Sequence, residues 1–356
     1  MKNFFKVIIF IVVFLIGLNC LTYIFRPNSD MKQRFAGFYY EEDNSIDVIY
    51  IGSSPVHPYW APPLAWDTYG FTSWSLATDI QQPKAALGLV KELSKTQQPK
   101  VVIFELRMFT RLQSTYDEAD NKDAFIRNVT DNLKESPNRW HTIDTLVDKP
   151  ENRISYYFDI MKYHGLWKKM RKSDWAYWRF KKRDMKCGHL IVDRVVNLSE
   201  KWQDFRKVQT ITPIPPEQEV VLRELLDYCK KNNIEALFTV NPYTDMTEIT
   251  QQQFNYMRDI VEKEYGYIFL NFNLLYDKLD VDFAKDFYNG SHMNICGSVK
   301  FTKYLAEYLV ENYDLPDKRE DTVYDSWDKS YEYWKKEADD AIGVINEKVE
   351  RGTYDD

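Results

Sequence analysis

Residues 46–55 read IDVIYIGSSP, in which a short apolar run leads directly into a glycine and two serines. Such a run is typical of a strand in a parallel sheet, because helices cover both faces of the sheet. Similar runs recur at 101–106, 236–240 and 267–272, and segments with helical periodicity separate them. This alternation predicts an α/β domain built on a parallel sheet, with its functional site beyond the carboxyl ends of the strands.

Apolar positions spaced three and four residues apart predict the helices of this domain at 82–96, 220–231, 250–264 and 298–312. Ser298 is the predicted N-cap of the last of these, because a serine side chain can accept a backbone N–H of the first turn.

The chain is predicted to have three parts: a membrane anchor at 1–26, an α/β domain at 27–316 and an acidic helical tail at 317–356. Within the α/β domain, residues from about 112 to 215 interrupt the alternation of strands and helices, and we interpret them as a helical insertion. The tail has thirteen acidic and seven basic residues, and a helix is expected over about 328–350. With 44% apolar residues, the chain is not of the disordered class.

The stretch from Phe4 to Phe25 is long and apolar enough to cross a bilayer as a helix. Lys2 and Lys6 lie at its start, so the positive-inside rule predicts a cytoplasmic N-terminus and export of everything after Arg26. The expectation is a single-pass cell-membrane protein with an extracytoplasmic domain. A cleaved signal peptide is the alternative, but it requires a shorter apolar region and small residues at a cleavage site, and neither is clear.

Ser54 is a candidate nucleophile because a glycine two residues earlier lets the strand end in a sharp turn, which leaves the hydroxyl exposed. Backbone N–H groups after the turn can stabilise an oxyanion. Glycine and serine are also common in ordinary turns. His292 follows the last predicted strand and is expected at the same sheet edge, where it can act as a base on Ser54. His57, three residues after Ser54, is interpreted as a rim residue.

Two motifs carry a resemblance to a known family. VIYIGSSPV (48–56) resembles the first block of the SGNH/GDSL hydrolase superfamily in a Gly-Ser-Ser variant, and DFYNGSHMNICG (286–297) resembles the last block. The resemblance covers residues 46–110 and 217–312. With the N-terminal anchor, the chain further resembles the DltD-like proteins of teichoic acid D-alanylation, which work with membrane-bound O-acyltransferases. The resemblance implies a three-layer, flavodoxin-like parallel-sheet domain.

The resemblance implies that Ser54 is the nucleophile and His292 the general base. The carboxylate of the family motif falls on Asn289, which can orient an imidazole but cannot stabilise imidazolium with a charge. Asp286, six residues before His292, is the alternative support. Ala77 or Thr78 falls near the glycine of the family's oxyanion hole.

Further residues are expected to bind substrate or an oxyanion. Glu105 and Arg107 end a strand where the family usually has an asparagine. Arg107 can stabilise an oxyanion or hold an anionic substrate, or the two residues can form a structural ion pair. The full set of predicted oxyanion and substrate-binding positions is Ser53, Ala77, Thr78, Glu105, Arg107 and Asn241.

Charge and motif content bear on partners and cofactors. A net charge of −7 argues against nucleic acid as a partner. No metal or nucleotide cofactor is expected, because the sequence has no Gly-Lys-Ser/Thr phosphate loop and no metal-type spacing of histidines or cysteines. Residues 164–189 interleave aromatic with basic residues. This segment suits anionic head groups, teichoic acid phosphates or a membrane partner, or it is a solvated helical face that the acidic tail can neutralise.

These features predict a membrane-tethered SGNH-type esterase or O-acyltransferase that acts on a cell-surface glycopolymer through a Ser-His acyl-enzyme mechanism. The alternative is a non-catalytic partner or substrate-presenting module of a membrane-bound O-acyltransferase. A polysaccharide-binding surface protein is a third possibility, which rests on the aromatic content of 16%.

Overall fold

The computed structural model describes residues 2–172, 174 and 182–355. Its centre is a five-stranded parallel sheet with strand order β2-β1-β3-β4-β5, which confirms the α/β class. The strands are β1 (Val48–Gly52), β2 (Ser73–Ala77), β3 (Val101–Glu105), β4 (Ala236–Val240) and β5 (Ile268–Asn271). A separate antiparallel hairpin consists of β6 (Phe287–Asn289) and β7 (His292–Met293).

The helices follow in chain order. They are α1 (Lys2–Phe25), α2 (Asp30–Phe38), α3 (Pro62–Tyr69), α4 (Ala86–Leu93), α5 (Gln113–Asp117), α6 (Lys122–Thr130), α7 (Pro137–Leu146), α8 (Pro150–Tyr157), α9 (Ile160–Tyr163), α10 (Pro216–Lys231), α11 (Glu248–Asp259), α12 (Ile295–Asn312) and α13 (Asp325–Glu350). Short 3₁₀ turns lie at Arg107–Thr110 and His164–Lys169.

Alternate residues of the strands pack against two separate apolar clusters, one on each face of the sheet. Ile49 and Ile51 of β1 belong to the cluster that includes residues of α4, α10 and α11. Val48 and Tyr50 belong to the cluster that includes residues of α3 and α12. Every residue of β1, β3 and β4 is buried, which explains why these strands read as continuous apolar runs.

Strand β2 is absent from the sequence prediction, which relied on unbroken apolar runs. Its sequence, SWSLA, alternates serines with large apolar residues, yet all five residues are buried. The Ser73 hydroxyl accepts a hydrogen bond from Trp60 Nε1 at 3.2 Å, and the Ser75 hydroxyl donates to the Trp60 carbonyl at 3.4 Å. Satisfied serine hydroxyls can therefore occupy the sheet interior, which an apolarity criterion does not detect.

The predicted N-cap of the last core helix is wrong. Helix α12 begins at Ile295, and Asn294 caps it by accepting the N–H groups of Cys296 and Gly297 at 3.0 and 3.3 Å. Ser298 lies inside the helix, where its hydroxyl donates to the Tyr59 carbonyl at 3.0 Å.

In the predicted insertion at 112–215, helices α5 to α9 occupy the first half, and residues 182–215 contain neither helix nor strand. Residues 173 and 175–181 of the basic, aromatic segment predicted at 164–189 lie outside the described residues. At the described end of that segment, Lys186 Nζ lies 3.3 Å from Glu337 Oε2 of α13. The acidic tail therefore contacts this segment.

The helices at the two chain ends lie where they are predicted, α1 beginning two residues and α13 three residues before the predicted start. Helix α13 buries Trp327 and Trp334 against the domain, so the tail helix packs on its surface. Asn3–Phe25 of α1 is the one helix in the described part of the chain that is long and apolar enough to cross a membrane.

Candidate active site

Ser54 and His292 are 238 residues apart in the sequence and meet at one edge of the sheet. Ser54 lies two residues beyond β1, and His292 begins β7. The Ser54 Oγ and His292 Nε2 atoms are 2.8 Å apart, and both residues are only partly buried. The expected nucleophile and base are therefore in hydrogen-bond contact at a position that solvent reaches.

Asn289 holds the other imidazole nitrogen. His292 Nδ1 lies 3.0 Å from Asn289 Oδ1, which can only accept a hydrogen bond. Nδ1 is therefore the protonated nitrogen, and Nε2 carries the lone pair that accepts the Ser54 hydroxyl proton. Asn289 Oδ1 also accepts the Ser291 N–H at 2.9 Å, which fixes the amide in this orientation.

Asp286, the alternative support, lies elsewhere. It is buried, and its Oδ2 accepts hydrogen bonds from Lys300 Nζ at 2.8 Å and from the Asp282 N–H at 2.7 Å. Its carboxylate therefore ties the segment before β6 to α12. The residue that orients His292 is Asn289.

Burial and a nearby cation keep His292 neutral. Desolvation, together with the positive charge of Arg107, lowers the pKa of His292 to about 2. The imidazole is therefore a free base at neutral pH, as proton removal from Ser54 requires. The imidazolium that forms on proton transfer gains no charge compensation from the Asn289 amide.

Gly52 allows the Ser54 turn to pack closely on β3. A Cβ at this position would lie 2.7 Å from both Glu105 Cβ and Val56 Cγ2, closer than real Cβ contacts. The Ser53 hydroxyl, one residue on, is buried and accepts the Gln81 N–H at 3.0 Å. Ser53 therefore fastens the turn to the chain after β2, and its hydroxyl is engaged within the fold.

Ala77 and Thr78, predicted near the oxyanion hole, also support the turn. Ala77 pairs with Gly52 across the sheet. The Thr78 N–H donates to the Gly52 carbonyl at 3.3 Å. This N–H is engaged within the fold, so it is not free to bind an oxyanion in this conformation.

Glu105 and Arg107 do not form the side-chain ion pair considered above. The Glu105 carboxylate accepts the backbone N–H of Arg107 at 3.1 Å, and burial raises the pKa of Glu105 to about 7 despite the Arg107 charge. The Arg107 guanidinium donates to the Ser291 carbonyl at 2.7 Å and lies 4.7 Å from the centre of the Tyr243 ring. Arg107 thus holds the residue next to His292.

Asn241, interpreted as a rim residue, is fully buried. Its Nδ2 donates to the Pro55 carbonyl at 2.8 Å, and its Oδ1 accepts the Tyr50 hydroxyl at 2.6 Å. Pro55 is the residue after Ser54, so Asn241 connects the end of β4 to the turn that carries Ser54. Its role is to position that turn.

A second histidine–carboxylate pair adjoins the site and was missed in the sequence. His57 is buried and not at the rim, and its Nε2 lies 3.2 Å from Asp79 Oδ1. Burial, followed by the Arg34 charge, lowers the pKa of His57 to about 4. Burial opposes ionisation of Asp79, but the hydrogen bond and charge of His57 bring the pKa of that carboxyl below its usual value. Asp79 is therefore a carboxylate at neutral pH.

Asp79 and Ser54 occupy equivalent places on neighbouring strands. Gly52 and Ala77 are paired, and Ser54 and Asp79 each lie two residues further on. Asp79 lies two residues after β2, but the alternating serines of β2 do not indicate a strand, so the sequence does not place Asp79 at the sheet edge.

The residues of the described ranges include no group of three or more His, Cys, Asp or Glu side chains placed to hold a metal ion. Cys187, Cys229 and Cys296 are free and buried. Comparison with protein-family models found no match to this chain, and comparison with curated proteins also found none.

Proposed function

We propose that this chain is a membrane-tethered, extracytoplasmic serine esterase or O-acyltransferase of the SGNH type that acts on a cell-surface polymer. The observation that carries the proposal is the 2.8 Å contact between Ser54 Oγ and the unprotonated Nε2 of His292, with Nδ1 held by Asn289. The strand order β2-β1-β3-β4-β5, which is that of flavodoxin-like sheets, adds support. So does the resemblance of the two blocks that carry Ser54 and His292.

The proposed reaction has two steps. Ser54 Oγ attacks the carbonyl carbon of an acyl donor while its proton passes to His292 Nε2, and the resulting imidazolium then protonates the departing alcohol. This leaves an acyl ester on Ser54. An incoming hydroxyl then gives its proton to Nε2 and attacks the ester carbonyl, and the imidazolium returns that proton to Ser54 Oγ as the bond between Oγ and the acyl carbon breaks. A polymer hydroxyl as acceptor gives O-acylation, whereas water gives hydrolysis.

Asn289 determines how strongly the dyad is supported. It selects the tautomer in which Nε2 is the base, but it adds no negative charge beside the imidazolium. The dyad is therefore expected to react more slowly than a triad with a carboxylate in that place.

The same asparagine favours a second candidate, a non-catalytic partner of a membrane-bound O-acyltransferase. The engaged N–H of Thr78, at the position expected for the oxyanion hole, points the same way. This candidate predicts that function survives loss of the Ser54 hydroxyl and depends on the basic residues between Lys168 and Lys186.

A fluorophosphonate probe tests the proposal on the purified full-length chain. We expect wild type to be labelled, Ser54→Ala to lose the label and Ser53→Ala to keep it, since the Ser53 hydroxyl is buried and bonded to Gln81. Equal labelling of wild type and Ser54→Ala would exclude Ser54 as the nucleophile. Unlabelled wild type that remains folded would favour the non-catalytic partner.

A further inference from the structure

The C-terminal end of α1 is fixed to the insertion and is not a free tether. Arg26 follows α1 directly, and its Nε lies 2.5 Å from Asp159 Oδ2, with both side chains buried. Another guanidinium nitrogen donates to the Asp131 carbonyl. Lys32 Nζ donates to the carbonyls of Tyr23 and Arg26 at 3.0 and 3.1 Å. The direction of α1 therefore sets the orientation of the insertion.

An apolar groove of about 640 Å³ lies between α1 and the insertion. Its apolar walls include Leu15 and Leu18 of α1 and Trp140, Phe158 and Ile160 of the insertion. Its volume and largely apolar walls are within the range of sites that bind small apolar molecules.

Three acidic residues line the groove: Asp159 is paired with Arg26, and the other two each accept a hydrogen bond from an aromatic side chain. Trp140 Nε1 donates to Glu135, and the Tyr157 hydroxyl donates to Asp144. An aromatic ring with one apolar side and one hydrogen-bonded polar end is typical of the boundary between hydrocarbon and head groups.

The groove lies at the depth of the bilayer if α1 spans it. Asn3–Phe25 has 23 residues, which corresponds to about 35 Å of helix, or about 5 Å more than the hydrocarbon thickness. Leu18 and Leu15 lie about 10 and 15 Å before Phe25 along the helix. Even if all the excess length emerges on the side of the folded domain, these residues remain about 5 and 10 Å inside the hydrocarbon.

Large apolar side chains of the insertion are exposed beside α1. Phe158 is 53% exposed, and Trp140, Met161 and Trp167 are exposed to a similar degree. Helix α9 and the 3₁₀ turn at His164–Lys169, which carry Met161 and Trp167, contact α1 directly. These side chains are therefore continuous with the surface of α1.

We propose that lipid acyl chains fill this groove and that Trp140, Phe158, Met161 and Trp167 lie in the leaflet on the side of the folded domain. The inference rests on the membrane anchoring included in the proposed function and is independent of the Ser54 chemistry. The insertion then acts as an in-plane membrane element that holds the domain at a set height and orientation.

Depth-dependent fluorescence quenching tests this proposal on the full-length chain. Each variant has one new cysteine (Phe158→Cys, Met161→Cys, Phe10→Cys or Ile249→Cys) in a Cys20→Ala background, where the remaining Cys187, Cys229 and Cys296 are buried. The new cysteine is labelled with bimane, and the protein is reconstituted in phosphatidylcholine–phosphatidylglycerol vesicles. The vesicles contain lipids with a nitroxide on the acyl chain. Ile249, on α11, is the control because it is 62% exposed and its helix packs against the sheet.

We expect Phe158→Cys and Met161→Cys labels to be quenched severalfold more than Ile249→Cys. The Phe10→Cys label, within α1, reports on the anchor itself. Quenching at Phe10 with none above the Ile249 value at Phe158 and Met161 would overturn the inference while the anchor stands. Absence of quenching at Phe10 would overturn both. Labelling of Ser54 by fluorophosphonate in the same variants reports on the proposed chemistry separately.

Discussion

Asn289→Asp should strengthen the proposed catalytic dyad by supplying the charge that it lacks. The amide oxygen of Asn289 lies 3.0 Å from His292 Nδ1, so a carboxylate in its place would keep the same hydrogen bond. The Ser291 N–H, 2.9 Å from that oxygen, would remain a donor to it. Asn289 is partly exposed, so water can solvate the second carboxylate oxygen that the substitution introduces.

The size of the effect follows from Coulomb's law. A full negative charge about 4 Å from the imidazolium is worth about 4 kcal/mol at an effective dielectric constant of about 20. This would raise the pKa of His292 by about 3, from about 2 to about 5. Because only part of the imidazolium charge has developed in the transition state, we expect acylation at neutral pH to accelerate by about ten- to a hundredfold.

The two proteins should also differ in how the acylation rate depends on pH. His292 must be neutral to act as a base, so the wild-type rate should not fall as pH drops from 7 to 4. In Asn289→Asp, the acylation rate should fall as pH drops through about 5, because the imidazole there becomes protonated.

The assay is the burst of p-nitrophenol from p-nitrophenyl acetate, followed by stopped flow from pH 4 to 8, with Ser54→Ala as the blank. A rate equal to or below the wild-type rate, with no new acid limb, would refute the view that Asn289 limits the dyad by its lack of charge. Asn289→Ala is the companion variant. It should be slower than wild type because nothing then selects the productive tautomer.

Three further outcomes are expected. Gly52→Ala should lower the free energy of unfolding, measured by urea titration, by about 1–3 kcal/mol, because its Cβ would lie 2.7 Å from two side-chain carbons. Gly165→Ala is the control: a Cβ there would have no atom within 4 Å, so it should not destabilise the protein in this way. His57 is buried with a pKa of about 4, so between about pH 6.5 and 4 the unfolded state binds a proton that the folded state does not. The free energy of unfolding should therefore fall by up to about 3 kcal/mol over this range, and His57→Gln should reduce this pH dependence in unfolding experiments. An unchanged pH dependence would contradict the assignment. Arg107→Met removes the 2.7 Å bond to the Ser291 carbonyl and should slow fluorophosphonate labelling about tenfold without abolishing it; labelling at the wild-type rate would show that Arg107 does not position His292.

The sequence predicts best those parts of the fold in which consecutive residues are both apolar and buried. β1, β3 and β4 are buried throughout, so each appears as an apolar run. β2 is buried to the same extent, but it contains two serines whose hydroxyls form hydrogen bonds with Trp60. In the sequence, such polar residues cannot be told from those of a loop. Asp79 is not predictable for the same reason, because a residue can be assigned to a sheet edge only when its strand is recognisable.

Topology is sufficient to pair Ser54 with His292, because Ser54 follows β1, His292 lies in the connection from β5 to α12, and the carboxyl ends of parallel strands share one edge. It is not sufficient to choose between Asn289 and Asp286. That choice depends on the β6–β7 hairpin, which turns Asn289 towards the imidazole, while the Asp286 side chain bonds to Lys300 of α12. Spacing along the sequence does not determine which way a side chain points from a short hairpin.

The position of His292 depends in turn on contacts that lie outside both recognisable sequence blocks. The Gly290 carbonyl accepts the N–H groups of Thr244 and Asp245 at 2.8 and 2.9 Å, so these hydrogen bonds attach the hairpin to the loop after β4. A Cβ on Gly290 would lie 1.9 Å from Asp245 Oδ1, so a larger residue there would require the exposed Asp245 side chain to move. Because Arg107 holds the next residue from the end of β3, two separate strand ends set the place of the imidazole. The geometry of the dyad is thus a property of the whole sheet edge, and substitutions in the loops after β3 and β4 should alter it without touching either Ser54 or His292.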